Sequence, residues 1–193
     1  EGNGGIEMKT RLLTEADIKE DGKYHLEGKV LDGDQLAEYY DKLLAEFPEL
    51  ISMEDPYDEN DTEGMVKFTQ SHKDRLQIVL DDFICTNPRL LEKAIKEGAG
   101  NASLIKLNQI GTVTETLETI RISRKHGYNT MISHRSGETG DTFIADFAVA
   151  TNGGQLKTGA PARSERVEKY NQLLRIEEQL GDGERLDFFP AQD

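Results

Sequence analysis

From residue 33 onward, amphipathic helical stretches alternate with short apolar runs, and no low-complexity linker interrupts them. Apolar side chains at helical spacing predict helices over 35–47 (Leu36, Tyr39, Tyr40, Leu43 and Leu44, stopping before Pro48), 62–72, 87–97, 113–125 and 164–180. Asn87-Pro88 supplies a cap followed by a first-turn proline, and Arg124-Lys125-His126-Gly127 puts cations on a helix C-terminus with a glycine beyond. A further helix starts near Asp141, with Asp141 or Thr139 as its cap. Between the helices, 49–53, 76–80, 103–107, 130–132 and 154–156 read as short strands. Such alternation requires parallel strands joined by helical crossovers. The fold class is therefore α/β, either a doubly wound sheet or a β/α barrel.

In a barrel, polar residues at the carboxyl ends of the strands build the site. Here those ends read Glu54-Asp55, Asp81-Asp82, Lys106, Ser133-His134-Arg135 and Lys157, each preceded by apolar residues. A single charged strand end is ordinary solvation, whereas a succession of them points to one convergent site. The stretch Ser133-His134-Arg135-Ser136-Gly137-Glu138-Thr139 adds an imidazole, a guanidinium and hydroxyls between a strand and a helix N-terminus. Free backbone N–H groups there favour an anion such as phosphate or carboxylate. A plain polar loop is the alternative.

Glu54 and Asp81 are carboxylates on neighbouring strand ends, a spacing that suits a hard divalent cation such as Mg²⁺; helix-capping acids are the alternative. Asp55 and Asp82, which follow directly, read as supporting or capping residues. Lys106, set between Leu104-Ile105 and Leu107, is expected in a confined place near other cations, where an amine serves as a base. Lys157 is expected to act as a fixed positive charge, a snorkelling lysine being the alternative. His25, His72 and His126 lie in polar or helix-end settings and receive no role. Ser103-Leu104-Ile105-Lys106 and Lys157-Thr158-Gly159 match the S-x-x-K and K-T-G signatures of serine β-lactamases. The match fails on context, because Ser103 lies in a strand-like run rather than opening a helix and no S-D-N follows.

Composition bounds the partners. The chain has 193 residues, a formal charge of −14 and a pI of about 4.7, which argues against a nucleic-acid or anionic-membrane surface. No apolar run approaches the roughly 20 residues needed to span a bilayer, and Glu1 to Gly5 lacks the basic and apolar parts of a signal peptide. The single cysteine, Cys85, rules out an internal disulfide, so a cytoplasmic location is expected.

Several blocks of this sequence together resemble enolase, the family that dehydrates 2-phosphoglycerate in glycolysis. They are Ser52-Met53-Glu54-Asp55-Pro56-Tyr57, Asp81-Asp82 with Thr86-Asn87-Pro88, Leu104 to Gly111, Ser133 to Thr139, Lys157 to Arg166, and Tyr170 to Glu178. The resemblance covers nearly all of 21–181 in order. It implies that Glu54 and Asp81 hold Mg²⁺, that Lys106 removes the C2 proton, and that His134 lies beside the substrate. It further implies that Arg135 and Ser136 hold the phosphate and that Lys157 offsets the substrate carboxylate. Pairing a Lys or His base with Mg²⁺ is the known pattern of enolase-superfamily sites, so the mechanism rests on the resemblance alone. The family also implies a homodimer acting on 2-phosphoglycerate and phosphoenolpyruvate.

The departures are also informative. Family features preceding the third barrel strand, namely a capping domain, a substrate histidine and glutamates that act with the leaving hydroxyl, have no counterpart in this sequence. The expectation is an incomplete β/α barrel of about six of the eight βα units, with 1–20 a divergent first strand and insertion and 181–193 a tail. Counting back without a gap puts Leu12 where the family has a third metal carboxylate. Allowing an insertion instead pairs Gly5-Ile6-Glu7-Met8 with that strand and makes Glu7 a longer substitute ligand, the preferred reading. Gly140 stands where the family usually has an acid. The expected function is Mg²⁺-dependent dehydration needing the N-terminal portion in cis or in trans, the alternative being a non-catalytic enolase-like component of a larger assembly.

Overall fold

The structure, a computed structural model, describes residues 23–181 and divides into two compact units that meet in sequence between Pro48 and Glu49. Glu7 and the expected strand around it lie outside the described residues.

The first unit opens with an antiparallel hairpin of β1 (Tyr24–Leu26) and β2 (Lys29–Leu31), in register His25 to Val30. Its two-residue turn, Glu27-Gly28, has φ of 51° and 77°. Two left-handed residues in succession give the turn whose twist matches a hairpin, and glycine takes the second at no steric cost. Helix α1 (Gly33–Glu46) follows directly. Asp32 caps it by accepting from Gln35 N at 2.8 Å, while Gln35 Oε1 accepts from Asp32 N at 3.0 Å. Leu36, Tyr40 and Leu44, one turn apart, form its buried stripe.

The second unit is built from βα repeats. Its strands are β3 (Ser52–Glu54), β4 (Gln77–Leu80), β5 (Ala102–Ile105), β6 (Asn129–Ser133) and β7 (Gln155–Lys157). They form one parallel sheet in chain order, β3-β4-β5-β6-β7, with Met53 opposite Ile78, Leu80 opposite Ser103, Leu104 opposite Met131 and Ile132 opposite Leu156. The crossovers are helices α2 (Thr62–His72), α3 (Pro88–Glu97), α5 (Val113–Lys125) and α6 (Phe143–Ala150), with a short α4 (Leu107–Ile110) before α5 and α7 (Ser164–Leu180) after β7. The sheet has five strands, so the described residues supply five of the six units expected.

Strand alternation sorts the core into two faces. On one face Ile105 and Ile132 pack with Ile120 of α5 and Phe147 and Ala148 of α6. On the other, Val79, Ala102 and Leu104 cluster with Met131. Both faces are therefore apolar, which explains why β5 is buried at every position and why the strands read as continuous apolar runs. The sheet is curled rather than flat. Its outermost strands, β3 and β7, would stand roughly 19 Å apart at ordinary strand spacing, yet Lys157 Nζ lies 2.5 Å from Glu54 Oε1. An incomplete barrel of this kind matches the expected fold class. Gly100 tightens the joint before β5: its φ is +68°, and a Cβ there would fall 2.6 Å from Leu80 Cγ.

Boundaries differ locally. β3 includes Glu54 rather than ending at Met53, because pairing with β4 continues there, and β6 extends to Asn129, opposite Ala102 of β5, and to Ser133, opposite Lys157 of β7. α6 begins at Phe143, where Asp141 Oδ1 accepts from Phe143 N at 2.9 Å; Asp141 thus caps the helix from one residue before the usual position.

Candidate functional site

Glu54 ends β3, Asp81 and Lys106 directly follow β4 and β5, and Lys157 ends β7, so the curl brings these four side chains to one rim. Lys106 Nζ donates to Asp81 Oδ2 at 2.5 Å, and Gln109 Nε2 donates to Asp81 Oδ1 at 3.2 Å. Asp81 is only 6% exposed. Lys157 makes the matching pair with Glu54 at the other side of the curl. Burial raises the Glu54 pKa above the usual carboxylate range; the Lys157 ammonium opposes this, and the Asp81 charge adds to it. Glu54 thus senses Asp81 as a neighbouring like charge. Lys106 is paired with a carboxylate, whereas the sequence reading set it among cations.

Behind this rim, Asp55 braces the turn. Its Oδ1 accepts from Asp81 N at 2.9 Å and its Oδ2 from Asp82 N at 2.8 Å. Burial pushes the Asp55 pKa up to about 7 despite those two bonds. Beyond β4 the chain turns tightly, with Cys85 and Thr86 both left-handed at φ of 46° and 54°. The turn drives Thr86 inward, where its Oγ1 accepts from Lys106 N at 2.9 Å and donates to Gln109 Oε1 at 2.8 Å. Thr119 Oγ1 holds the Thr86 carbonyl at 2.7 Å. Thr86 therefore links the Lys106 backbone to the glutamine that orients Asp81.

The polar loop after β6 is tied down by α7. Arg166, 7% exposed, donates from Nη1 to Arg135 O at 2.8 Å and from Nη2 to Ser136 O at 2.9 Å, and Nη1 also meets His134 Nδ1. Lys169, 1% exposed, donates to Thr139 O at 2.5 Å and Glu165 O at 2.8 Å. His134 N donates to Lys157 O at 2.9 Å, which joins the loop to the lysine end of the rim. The Arg135 and Ser136 side chains are exposed. Burial and the Arg166 charge hold the His134 pKa below its ordinary value.

The donor set fits a divalent cation. Asp55, Asp81 and Asp82 offer carboxylate oxygens within 4.8 Å of one another. Asp55 already uses both oxygens on backbone N–H groups, however, and Asp82 is exposed. Asp81 with Glu54 is the better pair, because both are bonded to side chains rather than to backbone N–H groups that hold a turn, and two adjacent carboxylates are the like-charge arrangement that a cation relieves.

Besides Glu7, which lies outside the described residues, the residues expected to carry the site are Glu54, Asp81, Lys106, His134, Arg135, Ser136 and Lys157. The structure gathers the first three and Lys157 around two ion pairs, and His134, Arg135 and Ser136 on the adjoining loop. It adds Thr86, Gln109, Arg166 and Lys169, for which no role was expected. A basic residue on an amphipathic helix reads as solvent-facing, and only the packing of α7 against the loop shows Arg166 and Lys169 to be buried. No helix among the described residues is long and apolar enough to cross a membrane.

Comparison with known proteins places these features in a lineage. A family profile described as the enolase C-terminal TIM barrel domain matches residues 12–188. Enolase 3 of Lactobacillus johnsonii is 89% identical over 172 residues, covering 89% of this chain and 40% of its own length. Enolase of Lactobacillus helveticus is 87% identical over the same shares, and enolase of Streptococcus thermophilus is 57% identical over 168 residues, covering 87% of this chain and 40% of its own length. The chain thus spans about two fifths of the length of the curated relatives it matches.

Proposed function

Because this chain belongs to the enolase family, we propose that its strand-end rim forms part of a site that converts 2-phosphoglycerate to phosphoenolpyruvate with Mg²⁺. The observation that carries this reading is the convergence of Glu54, Asp81, Lys106 and Lys157 from four separate strands into two ion pairs. The reaction removes a proton α to a carboxylate, and that proton is weakly acidic. A base must be fixed over it and the resulting charge must be met by cations.

Glu54 and Asp81 hold the cation in this reading, and when bound it supplies positive charge toward the substrate carboxylate, where charge accumulates. Lys106 Nζ, in its unprotonated form, takes the C2 proton. The Thr86 bond to its backbone N–H and the short reach to Asp81 fix where that nitrogen sits. Lys157 presents a fixed positive charge to the substrate carboxylate. Arg135 and Ser136 bind the phosphate on a loop held from behind by Arg166 and Lys169, and His134 lies between the two regions. Glu7 completes the metal ligands. Activity belongs to an assembly that also contains the portions of the family's length outside this chain, a view supported by the 40% share of its relatives. The family resemblance carries the further expectation of a cytoplasmic homodimer.

The test is formation of phosphoenolpyruvate from 2-phosphoglycerate, followed by ultraviolet absorbance alongside native mass, with and without Mg²⁺ and with Lys106→Ala. Turnover that needs Mg²⁺ and falls at least 10²-fold to 10⁴-fold, roughly the worth of a positioned base, in the variant supports the assignment. Undiminished turnover by Lys106→Ala removes the base role, and absence of turnover in the complete assembly removes the reading.

A further inference from the structure

We propose that Arg166 is a positioning residue that fixes His134 as a neutral imidazole with its proton on Nε2, leaving Nε2–H as the donor offered to a substrate oxygen. The identity of that oxygen rests on the enolase reading, but the state of the ring does not.

A guanidinium has only N–H donors and stays protonated at any ordinary pH. Its Nη1 meets Nδ1 of His134, so Nδ1 must accept, and a proton there would set donor against donor. The neutral ring then carries its single proton on Nε2. Arg166 cannot easily swing away, because the same fork is spent on the Arg135 and Ser136 carbonyls and the side chain is buried. The His134 backbone is fixed as well, since its N–H donates to Lys157 O at 2.9 Å.

Gly159 supplies an independent indication that the contact is built. Its φ is +86°, and a Cβ there would come 3.2 Å from Arg166 Cδ and 3.4 Å from His134 Cε1. The absence of a side chain leaves room for guanidinium and imidazole to meet. The charged groups facing the ring are Arg166, Lys157 and Lys169, which disfavour a second proton, and Glu138, which favours one. Burial and Arg166 are the largest influences, and both hold the ring neutral.

Nitrogen-15 NMR of the His134 ring in the complete protein tests this, with the signals identified by their loss in His134→Gln. The unaltered protein is expected to show only the Nε2–H tautomer at neutral pH, with a midpoint below the ordinary 6.5. In Arg166→Met the Nδ1–H tautomer should become populated and the midpoint should rise, while Arg166→Lys, which keeps a cationic donor, should move both back toward the original. A proton on Nδ1 in the unaltered protein overturns the proposal. So does a folded Arg166→Met protein, checked by near-ultraviolet circular dichroism, whose ring is unchanged. Should Arg166→Met fail to fold, Gly159→Ala decides, since it crowds the same contact: a shifted ring supports the proposal and an unshifted one overturns it. Turnover measured on the same samples separates the two readings. Lack of turnover in the unaltered protein sinks the enolase reading and leaves the ring result standing. Full kcat and KM in an Arg166→Met protein with an altered ring removes the positioning role.

Discussion

Gln77 and Gln155 begin β4 and β7, with two strands between them, and still exchange a pair of side-chain hydrogen bonds of 2.8 Å each. In a flat sheet these strands would stand roughly 14 Å apart. Asn129 Nδ2 joins the pair by donating to Gln77 Oε1 at 3.0 Å, and Gln77 Nε2 reaches Ser52 Oγ at 3.2 Å. An amide ring thus cinches the strand starts, while the Glu54–Lys157 pair spans the strand ends.

Gln77→Leu should loosen that end. It deletes the bonds to Gln155, Asn129 and Ser52 and leaves partly buried amides without partners, a loss of about 1–3 kcal/mol. Urea unfolding would register it as a lower midpoint at unchanged slope; a midpoint equal to the parent's would mean that the ring contributes nothing to the curl.

Thr86→Val keeps the shape of the side chain and removes the hydroxyl that serves Lys106 N and Gln109. The stranded N–H and amide oxygen should cost about 1–3 kcal/mol, and Thr86→Ser should recover most of it. In the active assembly the valine variant should also lower kcat, because Gln109 then loses its hold on Asp81. Equal stability of the valine and serine variants would exclude the hydroxyl as the cause.

Asp55 links stability to pH with a defined sign. Its folded pKa, about 7, stands above the ordinary 3.8, so the folded state keeps a proton that the unfolded chain releases. The associated stability is fully present below about 3.8 and is lost as pH rises through about 7. Asp55→Asn, which cannot titrate, should gain on the parent across that window. Chemical unfolding of both proteins at a series of pH values reads the difference, and parallel curves would show that Asp55 is not the group responsible.

The sequence carried the helices almost to the residue, since 62–72, 113–125 and 164–180 match α2, α5 and α7. Apolar periodicity and capping are local signals, and they survive without tertiary information. The strands drifted by one to three residues because apolar runs buried on both faces carry no alternation to mark their ends. Glu54, Asp81, Lys106 and Lys157 were legible as charges closing apolar runs, but their pairing was not, since it depends on the curl. Thr86, Gln109 and Arg166 stayed hidden for another reason. A threonine in a turn and an arginine on a helix look ordinary until a left-handed backbone or a packed helix turns them inward.

The chain-order sheet also dictates when each part of the rim can exist during synthesis. Asp81 and Lys106 are 25 residues apart, so their pair can form once β5 has emerged. Glu54 and Lys157 are 103 apart and must wait for β7, at a loop-closure cost about 1 kcal/mol greater. A nascent chain therefore completes the Asp81–Lys106 half before the Glu54–Lys157 half, and the rim acquires its full charge pattern only as the last strand docks.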